Sequence, residues 1–344
     1  MIYVILLNYF ILGKFIIDLP RFISNKHPKS LKIYSKTNLI LTKKYIITEQ
    51  QRMKKVYLSD SGPKVSEAIY GFWRWENLGS QTTQKMEQIV NLCLELGINT
   101  FDHADIYGDF TIEEHFGKVI ASKSFRREEI VLFSKCGIRK SDNGKGFYFD
   151  NSRDYIVESV DNSLKKLKTD YIDIFLLNQS DVLADPEQTA MALAEVVNLG
   201  KVNHIGVANF NVFQHKLLAS YLTIPIVTNH IELNVMNITA IEDGRVDFIK
   251  QSFSKPLAWA PLAGGEIFEG KEGKAAVLKA KLESISKKYD ANIEQTAVAW
   301  LIQLGTLPII GSLSETRIKN AASAAQIKLS QQDWYDIYQT TVTS

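Results

Sequence analysis

The sequence predicts a (β/α)8 barrel built as a single domain. Three observations carry that expectation. From about residue 65, short apolar or β-branched runs alternate with helical patterns of roughly ten to twenty residues. About eight such units fit in roughly 280 residues, and strands separated by helical crossovers pair in parallel. No Gly-x-Gly-x-x-Gly turn follows the first strand, and Gly264-Gly265 comes late without that spacing, which argues against an open, doubly wound sheet.

The elements follow in order. Residues 59–64, with Gly62 and Pro63, read as a turn ahead of the first barrel strand. Strands are expected at 69–72, 100–102, 130–134, 172–177, 204–207, 226–230, 256–260 and 307–310. Between them, 84–96 places Met86, Ile89, Val90, Cys93 and Leu96 on one helical face, and 154–167 does the same with Tyr155, Ile156, Val160, Leu164 and Leu167. Helical patterns recur at 187–199 and 212–221, and Gly97 and Gly200 stand at helix C-cap positions. After Ile327, the segment holding Trp334, Tyr335 and Tyr338 reads as a helix packed on the barrel.

Composition narrows the function. Apolar residues make up 45% and charged residues 23%, an ordinary globular balance. Forty basic and 38 acidic residues leave a net charge of +2, which argues against a nucleic-acid partner. Cys93 and Cys136 form neither a disulfide framework nor a metal-ligand spacing, and read as buried thiols of a reducing compartment, the cytoplasm if translation starts at Met53 and a membrane-associated place if it starts at Met1.

The first 52 residues differ from the rest. They are crowded with Ile, Lys, Asn, Tyr and Phe, and no alanine precedes Ala68. The apolar stretch 2–12 has no basic region before it, and Lys14 and Asp18 interrupt it before it reaches a membrane span. A membrane anchor, a soluble extension and a misassigned start are the three readings. The favoured division is an extension at 1–52 outside the fold, with translation starting at Met53, and a barrel at 53–344 that has no membrane partner.

Chemistry in such a barrel belongs at the C-terminal strand ends. There, Asp102 ends one strand, Tyr107 follows on its loop, and Lys135 ends the next strand. Adjacent strands lie about 4.8 Å apart, so the three are within side-chain reach. An acid, a phenol and an ammonium suit carbonyl reduction, in which a proton must meet charge developing on oxygen. The ammonium is expected to lower the phenol's pKa, and Asp102 to hold Lys135 charged. An ordinary ion pair beside a loop tyrosine is the competing reading.

At this point the sequence resembles the aldo/keto reductase superfamily. Asp102-His103-Ala104-Asp105-Ile106-Tyr107-Gly108 matches its Asp-x-Ala-x-x-Tyr-Gly pattern, and Ser134-Lys135-Cys136-Gly137 its lysine. The Leu-x-x-Leu-x-x-Asp-Tyr-x-Asp run falls at Leu164 through Asp173, and Gly-Lys-x-x-x-Ile-Gly-Val-x-Asn-Phe at Gly200 through Phe210. The bacterial oxidoreductases with Asp-His-Ala-Asp-Ile-Tyr-Gly are the subgroup most similar.

The resemblance implies an NADP(H)-dependent reductase of a small-molecule carbonyl substrate, with NAD(H) as the alternative cofactor. It makes Tyr107 the general acid, tuned by Lys135 and Asp102. It implies that Asn209 holds the nicotinamide carboxamide and that Trp259 stacks on its ring, unless Trp259 is a core aromatic. Ala260, Pro261, Leu262, Ala263 and Gly264 are implied to cradle the pyrophosphate. Gly311, Ser312 and Arg317 are implied to grip the adenosine 2′-phosphate, with Asn320 a weaker candidate for the adenine. Phe72, Trp73, Trp75 and 147–149 are aromatic, and either line an apolar pocket or serve core and surface roles.

Three positions depart from the family pattern. Asn178 stands where the catalytic histidine is usual, as in the β subunits of voltage-gated potassium channels, and an amide can donate a hydrogen bond but not titrate. Ala208 replaces the usual Ser, and His230 the usual Gln, at the carboxamide site. A cofactor-binding sensor or regulatory subunit with little turnover is therefore the second reading.

Overall fold

The computed structural model describes residues 52–141, 144–270 and 272–343. Apart from Arg52, the expected extension 1–52 lies outside the described residues. The twelve strands among them are β1 (Lys55–Tyr57), β2 (Lys64–Ser66), β3 (Ile69–Gly71), β4 (Thr100–Asp102), β5 (Val131–Cys136), β6 (Ile138–Lys140), β7 (Phe147–Phe149), β8 (Ile172–Leu177), β9 (Val202–Ala208), β10 (Ile226–Glu232), β11 (Leu257–Trp259) and β12 (Leu307–Ile310). Eight of these, β3, β4, β5 and β8 to β12, form a closed barrel. Every pairing in it is parallel, and β12 closes onto β3 through Ile309 beside Ile69 and Ile310 beside Tyr70.

All eight expected strands are present, with ends shifted by up to two residues. The shifts place Lys135 inside β5 and end β11 at Trp259. The strands are short apolar runs because both of their faces are covered. Inside, Ile69, Phe133, Ile174, Leu176, Val227, Leu257 and Ile309 belong to one buried cluster.

The longer helices are α1 (Ser80–Glu95), α2 (Ile112–Ala121), α3 (Arg153–Leu167), α4 (Pro186–Asn198), α5 (Val212–Tyr221), α6 (Arg245–Gln251), α7 (Gly273–Lys288), α8 (Ile293–Gln303), α9 (Glu315–Ala324) and α10 (Gln331–Thr343). Local chemistry sets their ends. Asn211 and Asn292 each accept from the backbone three residues on, while Gln214 and Gln295 return the bond. Asp185 caps α4 directly ahead of Pro186. The C-terminal segment is a helix on the barrel, as expected: Trp334 of α10 stacks on Trp300 of α8 at 4.8 Å, and each indole N–H donates to the other's carbonyl.

Two hairpins were not expected from the sequence. Strands β1 and β2 flank the anticipated turn and pair antiparallel, and Leu58 and Val65 join the interior cluster. Met53, ahead of β1, is also buried and donates its N–H to the Leu96 carbonyl. Strands β6 and β7 form a second antiparallel hairpin directly after β5. Strands of three residues are too short to show an apolar alternation. No helix among the described residues is long and apolar enough to cross a membrane.

Candidate active site

Asp102 ends β4 and Lys135 lies on β5 beside it, with Asp102 in register with Phe133. Lys135 Nζ donates to Asp102 Oδ2 at 2.8 Å, to the His103 carbonyl at 2.7 Å and to the Tyr107 hydroxyl oxygen at 3.0 Å. An ammonium has three protons, and all three are used. Both members of the ion pair are 2% exposed, so neither is screened by water.

Tyr107 reaches the pair through a tight turn. Gly108, Asp109 and Phe110 all have positive φ, near 53°, 58° and 64°. A Cβ at Gly108 would stand 2.3 Å from Ile112 Cγ1, so the glycine of the motif is sterically required. The turn swings the phenol back over Lys135, whose ammonium lies 4.8 Å from the ring centre.

The electrostatics differ from the sequence expectation in one respect. Burial acts against the Lys135 charge, but Asp102 and Tyr107 outweigh it and hold the ammonium above its usual range. Burial pushes the Asp102 carboxyl up, against the pull of Lys135. Tyr107 was expected to fall, yet burial raises it above the ordinary phenol range. The ammonium is already neutralised by Asp102, whose own charge disfavours the phenolate, so Lys135 offsets only part of the desolvation. The phenol is therefore held in its protonated, donor form.

His103 stacks on Phe72 at 4.0 Å and packs on Phe116, facing away from the ion pair as strand alternation implies. Phe72 and Trp75 are core residues, while Trp73 and 147–149 are exposed.

Asn178 follows β8 directly, and its N–H donates to the Cys136 carbonyl at 2.7 Å. Among the described residues its side chain has no hydrogen-bond partner. Its carbonyl accepts from Asn209 Nδ2 at 3.1 Å, and Asn209 Oδ1 in turn accepts from Trp259 Nε1 at 2.9 Å. Asn209, itself at φ 63°, donates its N–H to the His230 carbonyl at 2.7 Å. Ala208 is buried in register with His230. Trp259 keeps 36% exposure, which leaves an indole surface open for stacking.

Past Trp259, Ala260, Ala263, Gly264 and Gly265 all have positive φ. Runs of this kind turn successive N–H groups to one side and make anion-binding concavities. A Cβ at Gly264 or Gly265 would meet nothing within 4 Å, so the space over this turn is open. Ala260, Pro261, Leu262 and Gly264 line one groove together with Gly311, Ser312 and Arg317. The exposed Arg317 guanidinium lies 4.9 Å over the Phe268 ring.

Seven further residues line this groove, among them Trp73, Arg74, Phe268 and Glu294. Trp73 and Arg74 come from the loop after β3, and Arg74 Nη2 donates to the Gly264 carbonyl at 2.8 Å. The strand-end rule applied to the first barrel strand points to them. Phe268 and Glu294 carry no local signal. Asn320 is spent on Glu294, donating to Oε2 at 3.0 Å. Cys93 and Cys136 are buried free thiols, and the described residues contain no group of three or more His, Cys, Asp or Glu side chains able to hold a metal.

The profile of the Aldo/keto reductase family matches residues 67–341. The chain is 36% identical to "Uncharacterized oxidoreductase YcsN" of Bacillus subtilis (strain 168), over 83% of this chain and 97% of that protein. It is 31% identical to "6-dehydroglucose reductase" of Agrobacterium fabrum, again over 83% of this chain and 97% of the relative. The crystal structure of the thermostable aldo-keto reductase Tm1743 in complex with the inhibitor epalrestat superposes with a TM-score of 0.74 at 26% identity, covering 84% of this chain and all of that one. A closed barrel with an acid, a lysine and a tyrosine at its mouth, matched along its whole length by these relatives, is an oxidoreductase: the chain belongs to the aldo/keto reductase family.

Proposed function

We propose that the protein reduces aldehydes or ketones with NADP(H), using Tyr107 as the proton donor. The single observation that carries this is the bonded set of Asp102, Lys135 and Tyr107, with Lys135 Nζ at 2.8 Å and 3.0 Å from its two side-chain partners.

The residues present fit a nicotinamide dinucleotide. The open left-handed turn at Ala260–Gly265 supplies N–H groups for the pyrophosphate, with Gly311 and Ser312 beside it. Arg317 offers a guanidinium on an aromatic face for a 2′-phosphate, which favours NADP(H) over NAD(H). Trp259 and Asn209, joined side chain to side chain, would hold the nicotinamide end, with His230 bonded behind Asn209 through its carbonyl. When bound, the dinucleotide supplies hydride to the carbonyl carbon.

The protein's own groups handle the oxygen. Tyr107 donates its phenolic proton as negative charge develops there. Lys135 then faces the phenolate and stabilises it, and Asp102 keeps Lys135 charged and oriented. Asn178, whose carboxamide is unpartnered, donates an N–H to the same oxygen and orients it without taking up a proton. The intact donor set supports turnover over the sensor reading, because a sensor has no use for a poised phenol. The buried free thiols fit the cytoplasm.

The test is NADPH oxidation with a panel of aldehydes and ketones that includes 6-dehydroglucose, the compound named in the Agrobacterium relative. Tyr107→Phe is expected to lower the rate by about 100-fold or more with at least one substrate. Equal rates in the two proteins refute the mechanism.

A further inference from the structure

The aromatic run Phe147, Tyr148 and Phe149 of the β6–β7 hairpin has no part in the mechanism above. These residues are 62%, 42% and 44% exposed, so three consecutive rings face water. Clustered exposed apolar groups beside a site mark a surface that binds something.

The hairpin rises between the two groups that handle the substrate oxygen. Strand β6 begins at Ile138, directly after Lys135, Cys136 and Gly137. On one side, the Asn178 N–H donates to the Cys136 carbonyl, and a Cβ on Gly137 would stand 3.7 Å from that nitrogen. On the other side, Lys140 donates to the Asp109 carboxylate, in the turn that carries Tyr107.

The register sorts the hairpin into two faces. Lys140 lies opposite Phe147, Arg139 opposite Tyr148 and Ile138 opposite Phe149. Residues directly opposite in an antiparallel pair point to the same side, and neighbours along a strand to opposite sides. Ile138, Lys140, Phe147 and Phe149 therefore share one face, and Arg139 and Tyr148 the other. The second face lies toward α3: the Arg139 guanidinium is 4.8 Å from the Tyr155 ring centre and 5.6 Å from that of Tyr148, and it donates to Asp150 at 2.8 Å. The first face looks toward the Tyr107 turn, because Lys140 reaches Asp109 from it. That exposed ion pair adds little stability, but it occupies the one charged group on this face. The rest of the face is apolar, two phenyl rings beside half-buried Ile138.

We propose that Phe147 and Phe149 form a wall for the non-reacting part of the carbonyl substrate, and that the substrates are aldehydes or ketones with an extended apolar tail. This rests on the reductase reading and names its substrate class. With the carbonyl oxygen between Tyr107 and Asn178, the hairpin is the surface that stands beside the tail. A tail laid on the two rings removes apolar area from water on both partners, and each buried methylene strengthens binding. The wall touches no reacting atom, so it binds ground state and transition state alike and acts on KM rather than kcat.

Straight-chain aldehydes from propanal to octanal, reduced with NADPH, test this. In the wild type, KM is expected to fall by about tenfold across the series while kcat stays level. In the double variant Phe147→Ala, Phe149→Ala, the octanal KM is expected to rise by about tenfold, while propanal, which has little tail to bury, keeps its KM and kcat. Tyr148→Ala, on the opposite face, is expected to leave the series as in the wild type. A KM that is flat along the series in the wild type overturns the proposal without any variant having to fold, and it leaves the reductase reading standing. Equal KM changes for propanal and octanal in the double variant overturn it too, as does a Tyr148→Ala protein that reproduces the octanal loss. Absence of turnover with every aldehyde and ketone tried overturns the reductase reading itself, and the wall with it.

Discussion

Replacing Asp105 by Asn is expected to remove a pH-dependent destabilisation built into the loop that carries Tyr107. Asp105 is 6% exposed, its N–H donates to the Lys135 carbonyl at 2.9 Å, and Oδ2 accepts from Tyr155 at 3.1 Å. Among the described residues Oδ1 has no partner. Burial, with the Glu113 carboxyl adding to it, pushes the Asp105 pKa up to about 7 from an ordinary 3.8. Between those values the folded protein holds a proton that the unfolded chain has released. Stability contributed by Asp105 is thus fully present below about pH 4 and is lost as pH rises through about 7. At about 1.4 kcal/mol per pKa unit the complete loss is about 4 kcal/mol. About 2.5 kcal/mol of it falls between pH ~5 and pH ~8. Asn cannot ionise, and its side-chain oxygen still accepts from Tyr155. Urea unfolding of both proteins at these two pH values isolates the effect, because any pH-independent cost of the substitution cancels. The variant is expected to gain about 2.5 kcal/mol on the wild type in going from the lower to the higher pH. Parallel changes in the two proteins, within about 0.5 kcal/mol, refute the assignment of a neutral Asp105 at the lower pH.

Three other substitutions test separate parts of the argument. Asn178→His is expected to raise the turnover rate with aldehydes, since an imidazole adds a titratable donor at the same position; an unchanged or lower rate means that the amide is adapted to its site. Arg317→Ala is expected to weaken NADPH binding by about tenfold while leaving NADH unchanged, read by fluorescence titration, and equal losses for both nucleotides count against a 2′-phosphate contact. Gly117→Ala is expected to destabilise the fold by about 3 kcal/mol or more, read by urea unfolding, because the added Cβ would lie 2.0 Å from the Lys166 carbonyl oxygen where α2 crosses α3; a loss below about 1 kcal/mol refutes that crossing.

The sequence by itself determined the repeating architecture and the set of Asp102, Lys135 and Tyr107 at the barrel mouth. A strand buried on both faces must be a short apolar run, and a helix lying on it must show one apolar face, so the eight units are legible in local periodicity. Asp102 and Tyr107 are near neighbours along the chain, and Lys135 is on the next strand, so parallel pairing alone brings them together. Asn178 is singled out by its position at a strand end together with the family resemblance.

Only the closed tertiary structure decided the rest. Arg74 and Glu294 reach the groove beside Ala260–Gly264 from distant elements, and Asp102 faces His230 across the barrel from strands that share no hydrogen bond. No local pattern encodes contacts made by closure of the sheet. The direction of the Tyr107 shift was likewise settled by packing. Proximity to Lys135 is visible in the sequence, but the depth of burial and the prior claim of Asp102 on the ammonium are not, and these hold the phenol protonated.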